Sequence, residues 1–225
     1  MRTRVNYSEY ELSRYIATDL QSVTNNGSIT TNDITANDIT ANAFIGNGSQ
    51  LSNVITTGSY EYAIAIGSQA GESNQGSNSV AIGSQAGESN QGSYSVAIGG
   101  LNVGKSNQGS YSVAIGNEAG QTSQNSFSVA IGSQAGESNQ GSTSVAIGDA
   151  AGSLNQNAYA VAIGSQAGES NQGSSSVAIG HQSGCLNQNT NSVAIGHDAG
   201  ESNQNSYSVA IGIYAGRSNQ GSSSV

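Results

Sequence analysis

Proline and tryptophan are both missing from this chain, cysteine and methionine occur once each, and only 8% of the 225 residues are charged. A chain of this length ordinarily carries one or two globular domains, but the material for a large apolar core is absent. Basic residues are scarcer still: five Lys and Arg against fourteen Asp and Glu, a formal charge of −9. That sign opposes a phosphate backbone, so nucleic acid is not an expected partner, and the mild acidity reads as solubility. The lone Cys185 has no partner for an intrachain disulfide, and it is read as a tolerated surface substitution. No stretch approaches the 18 or so apolar residues of a membrane span. The first residues, Met1 to Glu11, carry charge but no apolar run, so a standard secretory signal is not expected.

In place of those features there are 31 Gly and an abundance of Ser, Asn, Gln and Ala. Such a polar, low-complexity composition usually means disorder. A strict period argues otherwise. The phrase Ser-Val-Ala-Ile-Gly occupies 79–83, 95–99, 112–116, 128–132, 144–148, 176–180, 192–196 and 208–212, with variants at 63–67 and 160–164. A step of 16 residues this regular points to stacked identical units rather than a globular core.

Three segments follow. Residues 1–24 read as a helical anchor: Ser8 and Glu11 form a capping box, and Leu12, Tyr15, Ile16 and Leu20 lie at helical spacing on one face. That face either folds onto its neighbours or attaches the chain to a larger body. Residues 25–60 are a neck with a five-residue repeat, Asn32-Asp33-Ile34-Thr35-Ala36 followed by Asn37-Asp38-Ile39-Thr40-Ala41. Residues 61–225 are the array, about ten coils.

Within the phrase, Val and Ile alternate with smaller residues, the period of a strand with one bulky and one small face. The expectation is an all-β parallel β-solenoid with Val80, Ile82, Val96, Ile98, Val145 and Ile147 pointing into the core. The Gly83 and Gly87 steps are Gly in every copy, and the Gly92 step is Gly or Asn, which suggests left-handed backbone at that corner. Between Gly99 and Gly116 the step is 17, and the extra residue is expected as a bulge in a turn. The Gln91 step is always Gln and the Asn90 step is Asn except at Ser123. Stacked one strand spacing apart, such amides hydrogen-bond as ladders. The Glu88 step mostly interleaves its acids with other residues, which avoids like charges one rung apart.

One Val and one Ile per coil yield roughly 3–6 kcal/mol on burial, a thin return against ordering 16 residues at about 1–2 kcal/mol each. Self-association is therefore expected, most simply as a homotrimer. The column just before the phrase collects aromatic residues, with Tyr94, Tyr111 and Phe127 consecutive and Tyr159 and Tyr207 further along. Either they form a ladder shielding a strand edge, or they present a glycan- or surface-binding stripe.

The repeated Ser-Val-Ala-Ile-Gly with intervening Gly and small residues resembles the YadA-like head repeats of trimeric autotransporter adhesins, over about 63–225. The resemblance implies a left-handed parallel β-roll, three associated chains and binding to a host surface. Two departures matter: the 16-residue coil is longer than that family's, and this sequence shows neither a signal peptide nor an anchoring barrel. The neck segment from Asn42 to Val54 resembles one found in tail-fibre-like proteins of bacteriophages and large DNA viruses. This implies attachment to a parent particle through the N-terminus and location on a virion surface. The alternatives are a bacterial surface adhesin head, elsewhere extracellular, and an ice-binding or ice-nucleating solenoid, although Thr122, Thr143 and Thr190 share no column. No nucleophile–base pair or phosphate loop is visible, so no enzyme, catalytic residue or cofactor is expected. His181 and His197 share one column, but two imidazoles fall short of the three or four ligands of a zinc site, so no metal is expected either.

Overall fold

The computed structural model describes residues 62–225, which are all-β, with no helix among them. The anchor residues Leu12, Tyr15, Ile16 and Leu20 and the neck over 25–60 lie outside the described residues. The rest is a parallel β-solenoid of about nine coils, each about 16 residues long.

One wall of every coil is the phrase itself. The strands β1 (Ile64–Ile66), β2 (Val80–Ser84), β4 (Val96–Leu101), β6 (Val113–Ile115), β7 (Val129–Ile131), β8 (Val145–Ile147), β9 (Val161–Ile163), β10 (Val177–Ile179), β11 (Val193–Ile195) and β12 (Val209–Ile211) stack in chain order into a ten-stranded parallel sheet. Register is strict: Val113 faces Val129, Ala114 faces Ala130, and Ile115 faces Ile131. The opposite wall is Ser-Asn-Gln. It is a regular strand pair only in β3 (Ser89–Gln91) and β5 (Ser106–Gln108), and continues as one parallel bridge per coil, from Thr122 to Ser138, Leu154 and onward to Ser218.

The inside of the coil is not where the bulky residues lie. Ala81, Ala97, Ala114, Ala130, Ala146, Ala162 and Ala178 have no exposed surface, while Val80, Val96 and Val145 are half-buried and Ile147 is 36% exposed. Ile82 and Ile98 are likewise half-buried. The expectation of a Val and Ile core is therefore reversed: alternation along the strand is as read, but the small face points inward. The cause is the width of the coil. Each coil fills its interior with Ala81, Ala86, Gln91 and Ser95 or their equivalents, all buried. Gln91 crosses the interior and donates from Nε2 to the carbonyl of Val80 at 2.8 Å, and every later coil repeats this bond. A strand separation set by one glutamine side chain leaves no room for inward Val and Ile.

Glycine keeps the walls close. At Gly132 φ is +130°, and a Cβ there would stand 2.4 Å from the carbonyl oxygen of Gly148 in the next coil. At Gly136 a Cβ would meet the buried amide of Gln140 at 2.7 Å. The remaining left-handed corners are not at the Gly92 step, which the expectation had placed there. They fall on non-glycine residues at the Gln85, Asn90 and Tyr94 steps, including Thr143 at φ +57°. A β-branched residue in that region is costly, and backbone bonds hold it: Thr143 N–H donates to the carbonyl of Ser126 in the preceding coil. Where Asn replaces Gly at the Gly92 step its amide is used, as when Asn157 Nδ2 donates to the carbonyl of Gln172 at 2.9 Å.

The 17-residue coil takes up its extra residue as a bulge, but inside the strand β4 and not in a turn as expected. Ile82 faces Ile98 but Ser84 faces Leu101, so Gly99 and Gly100 together oppose Gly83 in a bulge.

Candidate functional site

Three outward features of the solenoid carry chemistry. The first is the outer side of the ten-stranded sheet. Because Ala points inward, period two forces Val and Ile outward on every strand. They form two parallel columns, and the Ile column stands at 37% exposure at Ile115 and Ile163. Such a face is more apolar than an ordinary soluble surface tolerates over a long contiguous stretch. The residues expected as core, Val80, Ile82, Val96, Ile98, Val145 and Ile147, all lie on it.

The second feature is the aromatic column. Tyr94, Tyr111 and Phe127 stack face to face, with ring centroids 5.0 and 5.1 Å apart and planes within 4°. All three rings are more than half exposed. Their left-handed backbone turns the side chains out of the corner. Tyr159 and Tyr207 occupy the same step at 65% and 66% exposure. Their neighbours in the column are Thr143 and Ser175, and Asn191 and Ser223, so neither joins the stack.

In the third feature, reading down single columns gave the histidine pair but not its third member, Asp198. His181 and His197 stack at 4.9 Å, as their shared step requires. Asp198, the next residue along the chain from His197, turns beneath both rings. Its Oδ1 lies 3.8 Å from His181 Nδ1 and 3.3 Å from His197 Nδ1. Most other coils carry Gln at the Asp198 step. The signal was a change in two adjacent columns within neighbouring coils.

Amide and charge columns line the remaining faces. Asn139, Asn155, Asn171, Asn187, Asn203 and Asn219 form an exposed ladder with donor–acceptor distances of 3.1–3.3 Å. Inside, Gln140 to Gln220 form a second, buried ladder at 3.0–3.2 Å. At the Glu88 step the acids meet donors one coil on: Lys105 on Glu88 at 3.5 Å, Ser153 on Glu137 at 3.2 Å, Cys185 on Glu169 at 3.3 Å, and Arg217 on Glu201. Cys185 is buried, contrary to the surface position expected for it. Burial, and then the hydrogen bond to Glu169, push its thiol up to about 12, so it is a poor nucleophile at neutral pH.

No protein-family model, curated protein or solved structure matches this chain.

Proposed function

We propose that the chain is one strand of a homotrimeric fibre or spike. It attaches through its N-terminal segment to a parent particle, such as a virion, and presents a rigid surface to a host or glycan. The observation that carries this reading is the outward Val and Ile face of the ten-stranded sheet. That face carries aliphatic residues in every coil, whereas the others expose apolar side chains only in some coils, so the hydrophobic effect favours covering it with its equivalent on another chain. Parallel copies packed about a common axis would bury the columns from every coil together. The repeat resemblance supplies the number three. Among the described residues no helix is long and apolar enough to cross a membrane.

Sedimentation equilibrium of the full chain tests association. The expected mass is three times the 22.5 kDa chain, and a stable folded monomer overturns the reading. Polar substitutions on the outer face, Ile131→Ser with Ile147→Ser, are expected to weaken association.

Within this reading, the stacked Tyr94, Tyr111 and Phe127 are the glycan-facing stripe. Exposed flat rings one coil apart suit the apolar faces of sugars, and three chains repeat the stripe three times, raising weak affinity by avidity. Replacing Tyr94 and Tyr111 by Ser, already used in this column, is expected to abolish binding on a glycan array. A lower melting temperature with binding intact assigns the stack to a structural ladder instead.

A further inference from the structure

We infer that His181, His197 and Asp198 form a binding site for a divalent late transition metal ion, with Zn(II) as its reference occupant. One ring nitrogen from each imidazole and a carboxylate oxygen lie within 4.8 Å of one another, and both Nδ1 atoms face Asp198 Oδ1, at 3.8 and 3.3 Å. Asp198 is 4% exposed, yet among the described residues no hydrogen bond reaches its Oδ1, which is shielded from solvent. A buried carboxylate oxygen without a donor is costly, and the two groups that face it are the imidazole Nδ1 atoms. Neutral imidazoles and a carboxylate are the donor set that binds Zn(II), Ni(II), Cu(II) or Fe(II), and three such ligands leave further positions for water.

The surroundings fit that role. Arg217 Nη2 is 3.5 Å from the other carboxylate oxygen, Oδ2, leaving Oδ1 to the imidazoles. The guanidinium also pairs with Glu201. Asp198, Glu201 and Arg217 together leave one net negative charge to meet a cation. Tyr214 meets His197 edge-on at 5.5 Å, and Arg217 lies over the Tyr214 ring at 5.1 Å, so one ring of the pair is braced from the following coil. The imidazole side chains are 48% and 47% exposed, so both have space to rotate toward a shared ion, and its open positions would face solvent. The competing account is a structural one, in which an imidazolium simply pairs with Asp198.

The repeat supplies the controls. Ser occupies the His181 step in four other coils, at Ser68, Ser84, Ser133 and Ser165, and Gln occupies the Asp198 step at Gln69, Gln85, Gln134, Gln166 and Gln182. Titration calorimetry of the full chain with zinc chloride is expected to show one ion per chain in the micromolar range or tighter. The double variant His181→Ser, His197→Ser is expected to lose it. Loss of one ligand in Asp198→Gln is expected to weaken binding about 100-fold or more, beyond the usual cost of losing a supporting contact. Cobalt(II) is expected to give a visible absorption band in the native chain that the double variant lacks. These are the only two histidines in the sequence, so imidazole nitrogen NMR of the unmutated chain reads the site even where a variant folds poorly: zinc should move both Nδ1 resonances. Absence of binding by the native chain, equal affinity in the double variant, or zinc that leaves both Nδ1 resonances unmoved each overturns the proposal.

Discussion

The Val-Ala-Ile wall pairs three residues in every coil and runs unbroken from β1 to β12, whereas the Ser-Asn-Gln wall pairs one residue per coil over most of its length. The first wall turns aliphatic columns outward and the second turns out an amide ladder. Both turn a small or polar residue inward, and Gln91 and its equivalents tie them together. A sheet face that is apolar outside and alanine inside is suited to burial against another chain, and a face of hydrogen-bonded Asn is suited to water. The two walls differ in what they offer to partners more than in how they stack.

The largest expected effect strikes what both walls share, their close approach. Gly132→Ala places a Cβ against the Gly148 carbonyl at a φ that L-residues avoid, and the clash is expected to add to the roughly 1–3 kcal/mol that the strained backbone alone costs. Denaturant titration checks it, and an unchanged midpoint would mean that the coils do not approach as closely as described. Next, Ala146→Leu overfills the interior and is expected to cost about 1–3 kcal/mol. Its neighbour Ile147→Ser is expected to leave the coil folded and reduce self-association. Paired melting and sedimentation measurements separate the two faces; equal losses of stability would erase the distinction between inside and outside.

A smaller effect is expected from Cys185. Its folded thiol is raised from an ordinary value of 9.0 to about 12, so folding favours the protonated form. The resulting stability is complete below about pH 9 and is lost as pH climbs toward 12. Alkaline unfolding of Cys185→Ser, the residue standing at Ser153 in that column, should lack this component. The smallest effect belongs to the outer ladder. Asn171→Ser removes one exposed rung and is expected to cost about 0.5–1 kcal/mol by melting, because water replaces the lost bonds.

Much of this was legible in the sequence, for identifiable reasons. A period of 16 fixes which residues become vertical neighbours, so the ladders at Asn90 and Gln91, the donors that meet the acids of the Glu88 column, and the bulge at Gly99-Gly100 all follow. Alternation in Val-Ala-Ile defines two faces but not which is inward. Ordinary hydrophobic reasoning chose Val and Ile, whereas the width of the coil selects Ala. The invariant Gln91 step held the missing clue: an amide that bridges the interior sets a separation too small for branched side chains. Left-handed corners were sought at Gly and Asn, but backbone bonds between coils hold Gln, Tyr and even Thr there. The histidine pair was legible, but Asp198 escaped because it lies in an adjacent column.

The bulge opposite Gly83 has a consequence for how the length of such a solenoid is measured out. One surplus residue is swallowed within β4, and Val113 still meets Val96 in register. An error of one residue therefore stays local, whereas gain or loss of a whole coil moves everything beyond it by one strand spacing, about 4.8 Å, without changing which way any face looks. The array works as a ruler graduated in 16-residue marks. Recombination between near-identical coils would lengthen or shorten it in whole graduations while the apolar edge stays aligned along one side.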